Sequence, residues 1–190
     1  MIPLDKNLLL AGVGGQGTIL ASKIIAGVAE KAGLDVKVAE VHGMAQRGGA
    51  VVTYLRFGEK VNSPLIAHRE ADFLLAFEKL EALRWLSYLK PEGLALVNDM
   101  EIYPLPVLTG KAFYPDFRER AQGVSFNLIP AREIARTLNN PRGINMVLLG
   151  FLAKRLTFPK EAWLEEIQNR SGKFSEANIA CFQAGFNYGE

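Results

Sequence analysis

The stretch Asn7-Leu8-Leu9-Leu10-Ala11-Gly12-Val13-Gly14-Gly15-Gln16-Gly17-Thr18 decides the fold. Residues 7–12 are an apolar run ending in glycine, which suits a strand buried on both faces of a parallel sheet. Residues 16–32 carry Ile19, Leu20, Ile24, Ile25, Val28 and Ala29 near helical spacing, and Gly33 stands where a helix-ending glycine belongs. Between strand and helix, Gly12, Gly14 and Gly17 spell G-x-G-x-x-G in the context that gives this pattern its meaning. One glycine makes the tight turn and one lets helix and strand pack. The middle one, Gly14, is expected to let backbone approach a phosphate, with positive φ. The free N–H groups at the helix start, with its positive dipole end, attract an anion, and the Thr18 hydroxyl is available beside them. Gly12, Gly14, Gly15, Gln16, Gly17 and Thr18 therefore form a first group of candidate ligand-binding residues. The same glycines would equally serve a crossover that binds nothing.

Working outward, residues 36–41 form a second strand, so the chain opens with a β-α-β unit expected to be right-handed. Residues 50–57, Phe73–Phe77, Leu94–Val97 and Val124–Ile129 read as strands. Glu78–Leu89, Ala131–Leu138, Asn145–Leu156 and a segment from Pro159 to about Asn169 read as helices. Residues 100–123, with Pro104, Pro106 and Pro115, look irregular apart from a short helical stretch near Arg118. Residues 174–188 carry Ile179, Phe182 and Phe186 at helical spacing. No linker or repeat interrupts this order. The expectation is one α/β domain over residues 1–190, built on a mostly parallel, doubly wound, Rossmann-like sheet. A helical C-terminal tail from about residue 143 packs on the domain or on a partner.

Composition agrees. A chain of 190 residues that is 49% hydrophobic and 22% charged can bury a core, which excludes disordered and collagen-like classes. The balance of 22 basic against 20 acidic residues gives no electrostatic case for nucleic acid or an anionic membrane. The longest apolar run, Met146–Ala153, falls far short of the ~20 residues that span a bilayer. The start, Met-Ile-Pro-Leu-Asp-Lys, lacks the basic region of a secretory signal, so the cytoplasm is the expected location. The single cysteine, Cys181, cannot form an intrachain disulfide or hold an iron–sulfur cluster, which needs about four ligands.

A second loop, His42-Gly43-Met44-Ala45-Gln46-Arg47-Gly48-Gly49, follows the second strand and should overhang the edge where doubly wound sheets bind ligands. Arg47 offers a bidentate donor beside the uncovered backbone of Gly48 and Gly49, which suits a carboxylate or phosphate. His42 can carry a proton or donate a hydrogen bond, and Gln46 adds a carboxamide. His42, Gln46, Arg47, Gly48 and Gly49 are candidate substrate-binding residues. Structural roles compete: His42 as a strand cap, Arg47 as a partner of Glu40. Glu40 itself lies 23 residues after Gly17, near the ~20 expected for the ribose-binding acid of a dinucleotide domain. A free-standing NAD(P)- or flavin-binding module is therefore the alternative reading, and a solvated strand end is the alternative for Glu40.

Together the two loops carry a resemblance. Gly-Val-Gly-Gly-Gln-Gly, followed by Glu-Val-His-Gly-Met-Ala-Gln-Arg-Gly-Gly-Ala-Val-Val, resembles the gamma-type subunit of 2-oxoacid:ferredoxin oxidoreductases, and within it the indolepyruvate type. Pyruvate and 2-oxoglutarate types tend to carry a Tyr-Gly-Pro-type loop before the same Arg-Gly-Gly. The resemblance implies the non-thiamine subunit of an enzyme that oxidatively decarboxylates an aryl 2-oxoacid. Coenzyme A takes the acyl group and ferredoxin the electrons. It implies that thiamine diphosphate, magnesium and 4Fe-4S clusters sit on a larger alpha subunit, with no cofactor, metal or catalytic residue of this chain's own. Ferredoxin would be reached through that complex, and the lone chain would exist as a monomer or homodimer. The sequence is consistent: it lacks a Gly-Asp-Gly…Asn-Asn diphosphate–magnesium signature, and His42 and His68 do not form a helical metal pair.

Other residues read as structural. Cys181, amid Ile179, Ala180 and Phe182, is expected to be a buried thiol. Trp85 and Trp163 are expected in the core or against a partner. His68-Arg69-Glu70 reads as a solvated run, and Asn98-Asp99 as a strand end that starts a turn or lines the site. There is no Gly-x-Ser-x-Gly elbow, and no Lys-Ser/Thr follows the glycine turn as in a P-loop.

Overall fold

The elements of the chain are seen in a computed structural model, which describes residues 5–43 and 49–189. In chain order they are β1 (Lys6–Val13), α1 (Thr18–Lys31), β2 (Asp35–His42), β3 (Ala50–Gly58), β4 (Ala71–Ala76), α2 (Lys79–Trp85) and β5 (Leu89–Asn98). There follow α3 (Leu105–Leu108), α4 (Phe117–Arg120), β6 (Ser125–Ile129), α5 (Ala131–Thr137), α6 (Ile144–Ala153), α7 (Lys160–Ser171) and α8 (Ser175–Asn187). The six strands form one sheet in the order β2-β3-β1-β4-β5-β6.

The ladder from β1 through β4 and β5 to β6 is parallel. β3 runs antiparallel to both β1 and β2. Thus β2 is parallel to β1, as a β-α-β unit requires, but β3 is slotted between them. The physical reason is the short connection over residues 43–49, closed by Gly43 N–H donating to the Ala50 carbonyl at 2.8 Å. A parallel return needs about a dozen residues or more, whereas a hairpin does not.

The sheet is covered on both faces, as expected of a doubly wound fold. Leu8 and Leu10 of β1 point to one side, with Leu55, Leu75 and Leu96, and pack against α1, α5, α6, α7 and α8. Leu9 and Ala11 point to the other, with Tyr54, Leu74 and Val97, and meet Ala82 of α2 and Phe117 of α4. Leu8 through Ala11 are all fully buried, which is why β1 reads as an unbroken apolar run.

The C-terminal helices pack on this domain. Residues 145–153 of α6 are buried throughout. α6 and α8 approach until backbone meets backbone. A Cβ on Gly150 would lie 2.2 Å from the Phe182 carbonyl oxygen, and one on Gly185 2.0 Å from the Val147 oxygen. Trp163 is fully buried beside Phe158 and Phe182, and Trp85 is half-buried edge-on to Tyr54. Cys181 is buried as expected, and burial pushes its thiol pKa up, against the contact from Asn140 at 3.6 Å. Among the described residues, no helix is long and apolar enough to cross a membrane.

Two segments depart from the sequence reading, the first being α3, Leu105–Leu108, inside the stretch read as irregular. In the second, the helix expected to run to Leu89 stops at Trp85, a 3-10 turn covers Leu86–Tyr88, and β5 already begins at Leu89. Pro91 is accommodated because pairing with β4 shifts register between Ala71 and Phe73, so its missing N–H falls in a break in the ladder.

Two outcomes are expected. Gly185→Ala should destabilise the chain by about 1–3 kcal/mol, the usual range for overpacking a tight contact, read as a lower urea midpoint; an unchanged midpoint would contradict the backbone contact. Cys181 should react with a thiol reagent only after unfolding, and rapid native-state labelling would contradict its burial.

Candidate functional site

The carboxyl ends of β1, β2 and β4 lie along one edge of the sheet, and the glycine loop leaves β1 there. Gly15 (φ 97°) and Gly17 (φ 85°) hold the left-handed backbone, so the positive φ expected at Gly14 belongs to its neighbours. Gly14 N–H instead donates to the Gly49 carbonyl at 3.0 Å, tying the first loop to the end of the second. Gly17 is the N-cap of α1 and has no side chain to cap it. The N–H groups of the first turn, from Thr18 to Leu20, have no partner inside the helix, and no acidic residue stands in that turn. A Cβ on Gly17 would lie 2.5 Å from Asn145 Nδ2, which points at the Gly17 carbonyl from 3.4 Å. The third glycine thus admits the start of α6.

Gln16 turns inward. Its Oε1 accepts from Val13 N–H at 2.7 Å and its Nε2 donates to the Phe77 carbonyl at 3.2 Å. A Cβ on Gly12 would sit 2.8 Å from Gln16 Oε1 and 3.2 Å from the Thr18 methyl. Gly12 and Gln16 therefore shape the loop from behind, and Gln16 also lines the hollow on its far flank.

In front of the loop is a cleft of about 530 Å³, within the usual range for small-molecule sites. Its floor is Gly14, Gly15 and Gly17, one wall is the first turn and a half of α1 to Lys23, and the other is His42 with Val51. The open helix start and the Lys23 ammonium make one end attractive to anions. Ile19 and Val51 make the rest apolar. His42 is exposed, with Nε2 4.0 Å from Glu40 Oε2. A smaller hollow of about 260 Å³ lies on the other flank, between Gly15, Gln16, Met100 and Arg142.

The structure thus brings Gly14, Gly15, Gly17, Thr18 and His42 to one cleft, with Gly49 at its edge. Gln46, Arg47 and Gly48 lie outside the described residues. Glu40 does not meet the requirement of a ribose-binding acid. β3 separates its strand from β1, at about 4.8 Å per strand, and its carboxylate faces His42 instead. Asn98 is fully buried, with its Nδ2 donating to the Phe77 carbonyl at 3.1 Å, and Asp99 binds Lys79 at 2.6 Å. Burial alone would lower the Lys79 pKa; Asp99 and Glu101 outweigh it and hold the ammonium above its ordinary range. Lys23 and Asn145 are the site residues that motif reading misses. The signal for Lys23 is its place four residues after Ile19, on the same face of α1. Among the described residues, no group of three or more His, Cys, Asp or Glu is placed to hold a metal ion.

Comparison with known proteins gives the following. The profile of the family described as pyruvate ferredoxin/flavodoxin oxidoreductase matches residues 7–188. The chain is 40% identical over 190 residues to an indolepyruvate oxidoreductase subunit IorB of Pyrococcus horikoshii, covering 95% of this chain and 94% of that one. It is 37% identical, with the same coverage, to the subunit of that name from Thermococcus kodakarensis. Among solved structures it is similar to a 2-oxoglutarate:ferredoxin oxidoreductase of Magnetococcus marinus with 2-oxoglutarate, coenzyme A and succinyl-CoA bound. The TM-score is 0.75 at 25% identity, over 96% of this chain and 30% of that one.

Inorganic pyrophosphate should raise the melting temperature of the chain, and Lys23→Glu should abolish the rise without lowering the ligand-free melting temperature appreciably. An equal rise in both would place the anion elsewhere.

Proposed function

The chain belongs to the pyruvate ferredoxin/flavodoxin oxidoreductase family, and from that premise we propose that it is the non-thiamine subunit of an indolepyruvate-type 2-oxoacid:ferredoxin oxidoreductase. The complex would convert an aryl 2-oxoacid and coenzyme A to carbon dioxide and acyl-CoA, passing a pair of electrons to ferredoxin. The observation that carries this chain's share of the work is the cleft at the start of α1. It joins backbone donors that have no partner inside the helix, and Lys23, to an apolar wall, which suits a ligand with phosphates at one end and a long, weakly polar arm. Coenzyme A has that shape, and the relative from Magnetococcus marinus carries it.

In this reading α1 holds the phosphate end, so that the thiol reaches the acyl group on the partner subunit. His42, on the rim, donates a hydrogen bond to an anionic ligand. Arg47, in the connection whose described ends Gly43 and Gly49 flank the cleft, supplies a bidentate contact to a phosphate or carboxylate. The residues present do not fit an iron–sulfur cluster, because the chain's single cysteine is buried against Asn140. In this reading, as the family resemblance implies, thiamine diphosphate, magnesium and 4Fe-4S clusters sit on a larger alpha subunit, which also passes electrons to ferredoxin. A dinucleotide module is disfavoured by two observations: Glu40 is a strand too far from the loop, and Gln16 occupies the space between the ends of β1 and β4.

The test is reconstitution. Co-expressed with the cluster-bearing chain, the protein should support indolepyruvate- and coenzyme A-dependent dye reduction, and alone it should contain no stoichiometric flavin, iron or thiamine. Flavin bound to the lone chain would sink the reading. In the complex, Arg47→Lys should lower kcat/KM by about tenfold, corresponding to ~1.4 kcal/mol, with assembly intact. Unchanged kinetics for both the oxoacid and coenzyme A would reject the contact.

A further inference from the structure

A doubly wound sheet opens a crevice where successive connections leave toward opposite faces. Here that point lies between β1 and β4: α1 follows β1 onto one face and α2 follows β4 onto the other. The Gln16 side chain bridges the crevice, leaving beyond it the smaller hollow beside Met100 and Arg142. On one side its Oε1 accepts the Val13 N–H of β1 at 2.7 Å; on the other its Nε2 donates to the carbonyl of Phe77, the residue after β4, at 3.2 Å. Asn98, at the end of β5, donates to that same carbonyl at 3.1 Å. Both lone-pair positions of the Phe77 oxygen are thereby used.

Two further features show that this arrangement is built. Gly12 leaves room for it, since a Cβ there would stand 2.8 Å from Gln16 Oε1 and 3.1 Å from the Phe77 Cβ. Asn98 keeps its orientation although its Oδ1 is fully buried with no hydrogen-bond partner among the described residues. Buried unpaired acceptors are rare and unfavourable, so one that persists marks a geometry held for another reason.

We propose that Gln16, backed by Asn98, is a positioning residue. Its carboxamide bolts the two sides of the crevice together and fixes the path of Gly14 through Gly17. The loop's ligand is thereby directed away from β4 and onto the α1 cleft beside Lys23 and His42. Gln16 touches no ligand itself. The identity of that ligand as coenzyme A rests on the function proposed above; the bolt does not.

The variants are Gln16→Met, which keeps the volume and loses both hydrogen bonds, and Gln16→Glu, which keeps the acceptor and loses the donor should the first fail to fold. In the full chain, hydrogen exchange at the Val13 amide should quicken by about tenfold or more in Gln16→Met, the loss of one ordinary hydrogen bond, and stay protected in Gln16→Glu, whose acceptor remains and whose test is the Michaelis constant. In the reconstituted complex, KM for coenzyme A should rise by a similar factor while kcat and the oxoacid KM stay within about twofold, a split that general loosening does not produce. Unchanged exchange in Gln16→Met would overturn the proposal. So would quicker exchange with every KM at its wild-type value, or an equal rise in both KM values. If the wild-type complex needs no coenzyme A, the functional reading fails, and stabilisation of the chain by pyrophosphate decides: loss in Gln16→Met upholds the bolt, retention overturns it.

Discussion

The carboxyl edge of the sheet depends on two places where a Cβ does not fit. At Gly12 the space is taken by Gln16 Oε1, and at Gly17 by the carboxamide of Asn145. The first lets a side chain from the loop reach back and join β1 to the end of β4. The second lets α6 begin against the start of α1. Everything in front of the loop follows, including an uncapped first turn of α1 turned toward Lys23 and His42. The left-handed backbone at Gly15 and Gly17 is what carries the chain from strand to helix in so little space.

The inserted strand β3 has the second large consequence. In a sheet where β2 lies next to β1, an acid near the end of β2 reaches the ligand of the glycine loop. With β3 between them, Glu40 is out of reach and His42 becomes the side chain that β2 contributes to the cleft. The same insertion brings the carbonyl of Gly49, just before β3, to the N–H of Gly14. In the proposed function the glycine motif serves an anionic ligand other than a dinucleotide, in keeping with this placement of Glu40 and His42.

Much of the fold was legible in the sequence because it rests on local pattern. The unbroken apolar run of β1, the helical spacing of α1 and the turn residues around Pro141 each carry their own signal. The helices after residue 143 were legible as helices, but not as the cover of one sheet face, since α6 is apolar all round and its contacts with Gly185 are long-range. The place of β3 followed from a physical limit, the shortness of residues 43–49, rather than from any motif. In the site, the glycines and His42 were legible, whereas the inward turn of Gln16 was not. A carboxamide reads the same whether it faces a ligand or a backbone carbonyl, and only the position of Phe77 decides between them. Lys23 escaped notice because nothing but helical phase links it to the loop.

The most direct test of the central claim is a structure of the assembled complex with coenzyme A bound. The pyrophosphate of coenzyme A is expected within hydrogen-bonding distance of the N–H groups of Thr18, Ile19 and Leu20, with Lys23 beside it. Coenzyme A phosphates bound elsewhere, with the α1 cleft filled by the partner chain, would contradict the assignment.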